Sequence, residues 1–127
     1  MKSISESKIL IVDDTEENID ILIEAFGNEY DIAVAMDGET ALESLEEEIP
    51  DIILLDIMMP DMDGYEVCRR IKENKQLSKV PIIFLTAMTD IDSKLKGFEL
   101  GAADYITKPF DISEIKTKVN SNLLSNL

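Results

Sequence analysis

Three acids, a hydroxyl and an ammonium group stand at equivalent places along this sequence. Asp13 and Asp14 follow the apolar run Ile9-Leu10-Ile11-Val12, and Asp56 follows Ile52-Ile53-Leu54-Leu55. Thr86 ends Ile82-Ile83-Phe84-Leu85, and Lys108 follows Tyr105-Ile106-Thr107. Each acid alone reads equally as a helix N-cap, Thr86 as a turn residue and Lys108 as a solvated side chain. Their common position after short apolar runs favours a shared site. Carboxylates brought close repel one another, so such a site needs a cation or a raised pKa. Oxygen ligands of this kind suit Mg²⁺, which keeps several waters and binds through one or two carboxylates plus a phosphate, with Mn²⁺ as an alternative. A hydroxyl and an ammonium facing that cluster supply a hydrogen-bond donor and a charge clamp for a tetrahedral anion. Asp56 could then act as a nucleophile, since aspartate carboxylates form acyl phosphates. The metal would neutralise the incoming phosphoryl group and hold it in line.

The elements that must position these residues are legible in the hydropathy pattern. Lys8 to Val12 reads as a first strand, Asp31 to Ala35 as a second, Ile52 to Leu55 as a third, Val80 to Thr86 as a fourth and Asp104 to Thr107 as a fifth. The third is a continuous apolar run, which predicts burial on both faces. The fourth is entered through Pro81, where a missing donor is tolerated. Between them, helical spacing appears in Ile19, Leu22, Ile23 and Phe26, in Ala41, Leu42 and Leu45, in Val67, Cys68 and Ile71, and in Ile91, Leu95 and Phe98. Ile112, Ile115, Val119 and Leu123 give a last helix. Asp14 or Thr15 is placed to cap the first helix and Gly27 to end it; Asp37-Gly38 makes the turn into the second, which runs from Gly38 to Glu48. The third helix spans about Gly64 to Asn74, and the fourth stops at Gly101. Strand-helix alternation implies a parallel sheet with right-handed crossovers and helices on both faces. The predicted class is α/β: a flavodoxin-like, doubly wound five-stranded sheet of order 2-1-3-4-5 with five helices. Its switch point falls between strands 1 and 3, the strands that end in Asp13-Asp14 and Asp56.

Composition narrows the function further. The chain has 127 residues, of which 45% are hydrophobic, enough for one domain with its own core. No apolar run is long enough to span a bilayer, and the polar start, residues 1–8, has no signal-peptide pattern. The single cysteine, Cys68, fits a reducing cytoplasm and falls on the apolar face of the third helix. A net charge of −15 argues against sequence-independent binding to nucleic acid or an anionic membrane. The absence of histidine excludes a histidine catalyst, a histidine metal ligand and a phosphohistidine carried by this chain.

Taken together, Asp13-Asp14, Asp56, the loop Met59-Pro60-Asp61-Met62-Asp63-Gly64, Thr86-Ala87 and Lys108-Pro109-Phe110 resemble the receiver domain of two-component response regulators. The resemblance runs from about Lys8 to Leu123, and its motifs fall in order at the ends of the right strands. It implies that Asp56 is the phosphoacceptor, taking phosphate from a phosphohistidine on a sensor histidine kinase or histidine phosphotransfer protein. It implies Asp14 as a direct Mg²⁺ ligand, Asp13 as a direct or water-mediated one, and the backbone carbonyl of Met58 as another. Lys108 would pair with the phosphoryl group and Thr86 would hydrogen-bond it. Ala87 would leave room there and donate its N–H. Lys108-Pro109 matches the family's cis peptide. Tyr105 matches the switch aromatic, which swings inward when Thr86 moves, reshaping the face of helix 4, strand 5 and helix 5. That face would also serve a homodimer, with Lys94, Lys96 and Lys116 pairing with acids on a second copy. Such a chain catalyses nothing beyond its own phosphorylation and dephosphorylation. Met58 and Met88, two residues beyond Asp56 and Thr86, would shield the acyl phosphate and slow its loss.

Three other readings compete. A flavin or nucleotide binder on the same fold lacks its glycine-rich phosphate loop here. A calcium loop at Asp61-x-Asp63-Gly64 lacks the rest of its ligand pattern. A receiver-like module used only for protein contacts would not need all five site residues.

Overall fold

The computed structural model describes residues 7–87 and 91–125. Five strands, β1 (Lys8–Val12), β2 (Asp31–Ala35), β3 (Ile52–Asp56), β4 (Ile82–Thr86) and β5 (Asp104–Thr107), alternate with five helices. The helices are α1 (Glu16–Phe26), α2 (Gly38–Glu47), α3 (Gly64–Glu73), α4 (Ile91–Glu99) and α5 (Ile112–Ser125). All neighbouring strands pair in parallel, in the order β2-β1-β3-β4-β5. The sequence reading of class, order and element number holds.

Strand alternation divides the core into two layers. Leu10, Val12, Ile53, Leu55, Ile82 and Phe84 turn toward α2 and α3, where they meet Ala41, Leu45, Val67, Cys68 and Ile71. Ile9, Ile11, Ile52, Leu54, Ile83 and Leu85 turn the other way, onto Ile19, Leu22 and Phe26 of α1 and Ile115, Val119 and Leu123 of α5. β3 and β4 are buried at every residue, because both faces carry helices. α4 is seated differently. Among its described side-chain positions the buried one is Gly97, packed against the ring of Phe84, while Leu95 and Phe98 are about half exposed. Leu95 and Phe98 of the α4 spacing therefore lie at the surface. The side chain of Ile91 lies outside the described residues. Ile23 and Ile112, which share the helical spacing of α1 and α5, are partly exposed at the flanks of those helices.

Cap chemistry sets the helix starts. Asp37 accepts the Thr40 N–H at α2 and Asp63 accepts the Glu66 N–H at α3. At α1 one of the two expected residues holds the cap position. Thr15 occupies its N-cap, but its hydroxyl donates to Asp14 Oδ1 at 3.5 Å and makes no capping bond, and its own N–H is taken by Asp13 Oδ1 at 2.9 Å. Gly27 closes α1 in a right-handed conformation, not a left-handed one. A side chain there would approach the Ile23 carbonyl to 2.7 Å, so close packing explains the glycine. α4 does end in a left-handed glycine, Gly101, with φ of 102°.

Candidate functional site

The sheet delivers Asp13, Asp56 and Thr86 to one edge, and each arrives buried, at 0%, 2% and 2% exposure. Backbone bonds continue past the strand ends and fix their spacing. The Asp13 N–H reaches Ala35 O, the Ile57 N–H reaches Leu85 O and the Lys108 N–H reaches Thr86 O. Asp14, next in sequence to Asp13, is exposed. Carboxylate oxygens of Asp13, Asp14 and Asp56 all lie within 4.8 Å of one another. The ammonium of Lys108 stands 3.1 Å from Asp56 Oδ1 and 3.5 Å from Asp13 Oδ2.

The electrostatics of this cluster are under strain. Burial pushes the Asp56 carboxyl up to about 6, and the charge of Asp13 adds to the rise. The Lys108 charge and hydrogen bond, and the Met58 N–H at 3.3 Å, pull in the other direction without cancelling it. Asp13 Oδ2 is buried and accepts no hydrogen bond among the described residues, although a buried oxygen of this kind ordinarily has a donor. An all-oxygen set of three carboxylates, one of them holding an unsatisfied buried oxygen, has the chemistry of a hard divalent cation site. The donor set fits such an ion.

The loop after Asp56 is closed down tightly on the strand end. Ile57 and Met59 are buried, and the Gly64 N–H bonds back to Ile57 O at 2.9 Å. Gly64 starts α3 so close to the strand that a Cβ would fall 2.3 Å from the Asp56 carbonyl oxygen. Asp61 takes a left-handed φ of 66° within this turn. Asp63 spends a carboxylate oxygen on capping α3, which further weakens any calcium-loop reading. Met58 is 60% exposed beside the carboxylate, and Ala87 is exposed just past Thr86. Met88 lies outside the described residues. Lys108-Pro109 is a cis peptide, as expected.

Thr86 also borders a small apolar cavity of about 10 Å³, lined by Ile57, Phe84, Gly97, Ala102 and Tyr105. This joins the acidic edge to Tyr105 on the outer strand β5. The volume holds at most about one water, so no ring enters it unless its walls move. Tyr105 is half-buried, edge-on to Phe98, and has two lysine ammonium groups over its ring, Lys94 at 4.4 Å and Lys118 at 4.8 Å. The sequence reading found the aromatic but not Lys118. That residue's only signal was its place on α5 beside the buried Val119.

The family model for the response regulator receiver domain matches residues 9–120. The chain belongs to the response regulator receiver family. Among curated relatives of this receiver, the response regulator PleD of Caulobacter vibrioides is 41% identical over 116 residues, covering 91% of this chain and 26% of that protein. The alkaline phosphatase synthesis transcriptional regulatory protein PhoP of Bacillus subtilis is 44% identical over 119 residues, covering 91% of this chain and 48% of that one. The receiver thus spans from about a quarter to about a half of these relatives' length. Among solved structures, the receiver domain of the Francisella response regulator 1452 superposes with a TM-score of 0.88 at 32% identity, covering 96% of this chain and all of that one. Membership supports a phosphorylation-dependent role in two-component signalling, in which receivers interact with histidine kinases. No helix of the receiver, among the described residues, is long and apolar enough to cross a membrane.

Proposed function

We propose that this receiver accepts a phosphoryl group on Asp56 from a phosphohistidine of a sensor histidine kinase or histidine phosphotransfer protein. The observation that carries the reading is the position of Asp56. It is a buried strand-end carboxylate within 4.8 Å of two others and 3.1 Å from the Lys108 ammonium. In the transfer, an Asp56 oxygen forms the new bond to phosphorus while the phosphorus–nitrogen bond breaks, and the departing imidazole takes up a proton. Asp13, Asp14 and Asp56, with the Met58 backbone carbonyl, would hold Mg²⁺, or Mn²⁺ in its place. When bound, the ion offsets the repulsion between the carboxylates and the phosphoryl oxygens. Lys108 supplies a fixed positive charge to those oxygens, Thr86 a hydroxyl donor and Ala87 a backbone N–H without a bulky side chain in the way.

The response is a population shift. The phosphoryl group favours the state in which Thr86 has moved toward it, and Tyr105 follows into the vacated space. The cavity between the two residues supports this path, as does its small size, which ties ring entry to movement of Thr86 or α4. The face formed by α4, β5 and α5 then changes, and a homodimer through that face is one outcome. The net charge of −15 favours protein partners over nucleic acid or an anionic membrane surface, and a reducing cytoplasm suits the single cysteine. The domain needs no activity beyond its own phosphorylation and dephosphorylation.

The test is incubation with a small phosphodonor and Mg²⁺. One acid-stable, base-labile phosphate should appear and be lost in Asp56→Asn. Phosphate retained in that variant would sink the assignment. Sedimentation with and without beryllofluoride tests the homodimer, and an unchanged monomer would count against it.

A further inference from the structure

We propose that Lys94 and Lys118 are positioning residues that clamp the Tyr105 ring in its present place, so that the two ammonium groups set how much phosphoryl binding energy the switch requires. The inference rests on the reading of Asp56 as phosphoacceptor and concerns what opposes the shift.

The geometry is specific. α4 and α5 lie on opposite faces of the sheet, and each sends one ammonium to the same ring on the outer strand between them, at 4.4 Å and 4.8 Å. Both distances are inside the range at which the ring quadrupole attracts a cation. Phe98 of α4 closes on the ring edge-on, with centroids 5.8 Å apart. Lys118 is itself fastened. Its Nζ donates to the Tyr105 carbonyl oxygen at 2.7 Å and lies 3.6 Å from Asp104 Oδ1 and 3.5 Å from Glu114 Oε1. A lysine anchored to the backbone of the residue whose ring it covers has lost little freedom in doing so. Lys94 completes the clamp from a helix that packs on the sheet at Gly97. A second lysine of α4, Lys96, makes the same kind of contact with Tyr65 of α3 at 4.3 Å. Lysine–tyrosine contacts therefore fasten α4 on both sides.

The functional consequence follows from linkage. Contacts made only in the present state must be given up when the ring leaves, so they oppose the shift by their own free energy. Removing one should raise the apparent affinity for a phosphoryl mimic by the same factor, about two- to fivefold for an exposed cation–π contact.

The test titrates beryllofluoride in Mg²⁺ against protein labelled at tyrosine rings. It is read by NMR at a concentration where sedimentation shows one copy. Lys94→Met and Lys118→Met remove the charge and keep an apolar stem. Lys94→Arg and Lys118→Arg keep the charge. Both methionine variants should reach half-saturation at about two- to fivefold lower beryllofluoride, with the Tyr105 signal already displaced toward its saturated position. The arginine variants should stay near wild type. In a Tyr105→Leu background, Lys94→Met should have no further effect, because the ring through which it acts is gone. Midpoints unchanged in both methionine variants would overturn the clamp while leaving the phosphoacceptor reading intact. So would an effect of Lys94→Met that persists without the ring. A wild-type chain with no beryllofluoride response at all would overturn both.

Discussion

The ammonium of Lys108, just beyond β5, stands 3.1 Å from the Asp56 carboxylate at the tip of β3, although β4 separates the two strands. The Lys108 N–H is fixed to the Thr86 carbonyl at the end of β4, and from there its side chain reaches both Asp56 and Asp13. One cation therefore serves two buried carboxylates. Replacing Lys108 with Met should tighten divalent cation binding several-fold, since the competing positive charge is gone. It should also slow phosphoryl uptake at least tenfold, since the fixed charge facing the incoming oxygens is gone too. Calorimetric Mg²⁺ titration and single-turnover phosphorylation measure the two effects, and their opposite signs separate loss of the charge from general damage.

The raised pKa of Asp56 predicts how stability depends on pH. The carboxyl titrates near 4 in the unfolded chain and is pushed up to about 6 in the folded one, with burial the main cause. The folded state thus holds a proton more tightly, so this group's contribution to stability falls as pH rises from about 4 through 6. Without divalent cation, Asp56→Asn should stabilise the domain by about 3 kcal/mol at pH 7.5. The gain should shrink as pH falls from 6 to 4 and vanish below about pH 3, where the wild-type carboxyl is protonated in both states. Urea unfolding of the pair in chelator, at several pH values, gives the difference directly. A gain that grew on acidification would contradict the sign.

Gly64 connects fold to site. A Cβ at this position would press 2.3 Å from the Asp56 carbonyl oxygen and 2.8 Å from the Ile57 Cα, both backbone atoms that cannot rotate away. Gly64→Ala should cost about 3 kcal/mol by overpacking and shift the phosphoacceptor backbone. Thermal unfolding should show the loss, and phosphorylation at a temperature where the variant is still folded should be slower than wild type.

Strand order, strand ends and the two core layers were readable because apolar runs and helical spacing carry that information directly. Asp13, Asp56 and Thr86 could be grouped because a parallel sheet brings all its strand ends to one side. The spacing in α4 placed the helix but did not tell how deeply it is buried. Leu95 and Phe98 have core spacing, yet the helix is seated by Gly97, and a pattern of hydrophobic residues cannot tell a buried stripe from one left at the surface. The α1 cap position was legible, since Thr15 does occupy it, but that its hydroxyl would lean toward Asp14 and not bond the helix was not, because that choice is made by local side-chain geometry. Lys118 was invisible for a third reason. Its significance lies in a contact thirteen positions back, with Tyr105, and nothing in its own surroundings on α5 marks it.

Met58 offers the last test. It lies two residues beyond Asp56, its N–H bonds to the carboxylate and its side chain is 60% exposed, so no packing elsewhere holds it. An unbranched apolar side chain free to rotate beside the carboxylate is able to cover an acyl phosphate and keep water from it. Met58→Asn replaces that cover with a group that hydrogen-bonds water. The phosphorylated variant should lose its phosphate several-fold faster than wild type, with little change in unfolding temperature because the side chain is not part of the core. Decay of radiolabelled protein after removal of the phosphodonor measures the rate. An unchanged half-life would show that water reaches the phosphate by a route Met58 does not control.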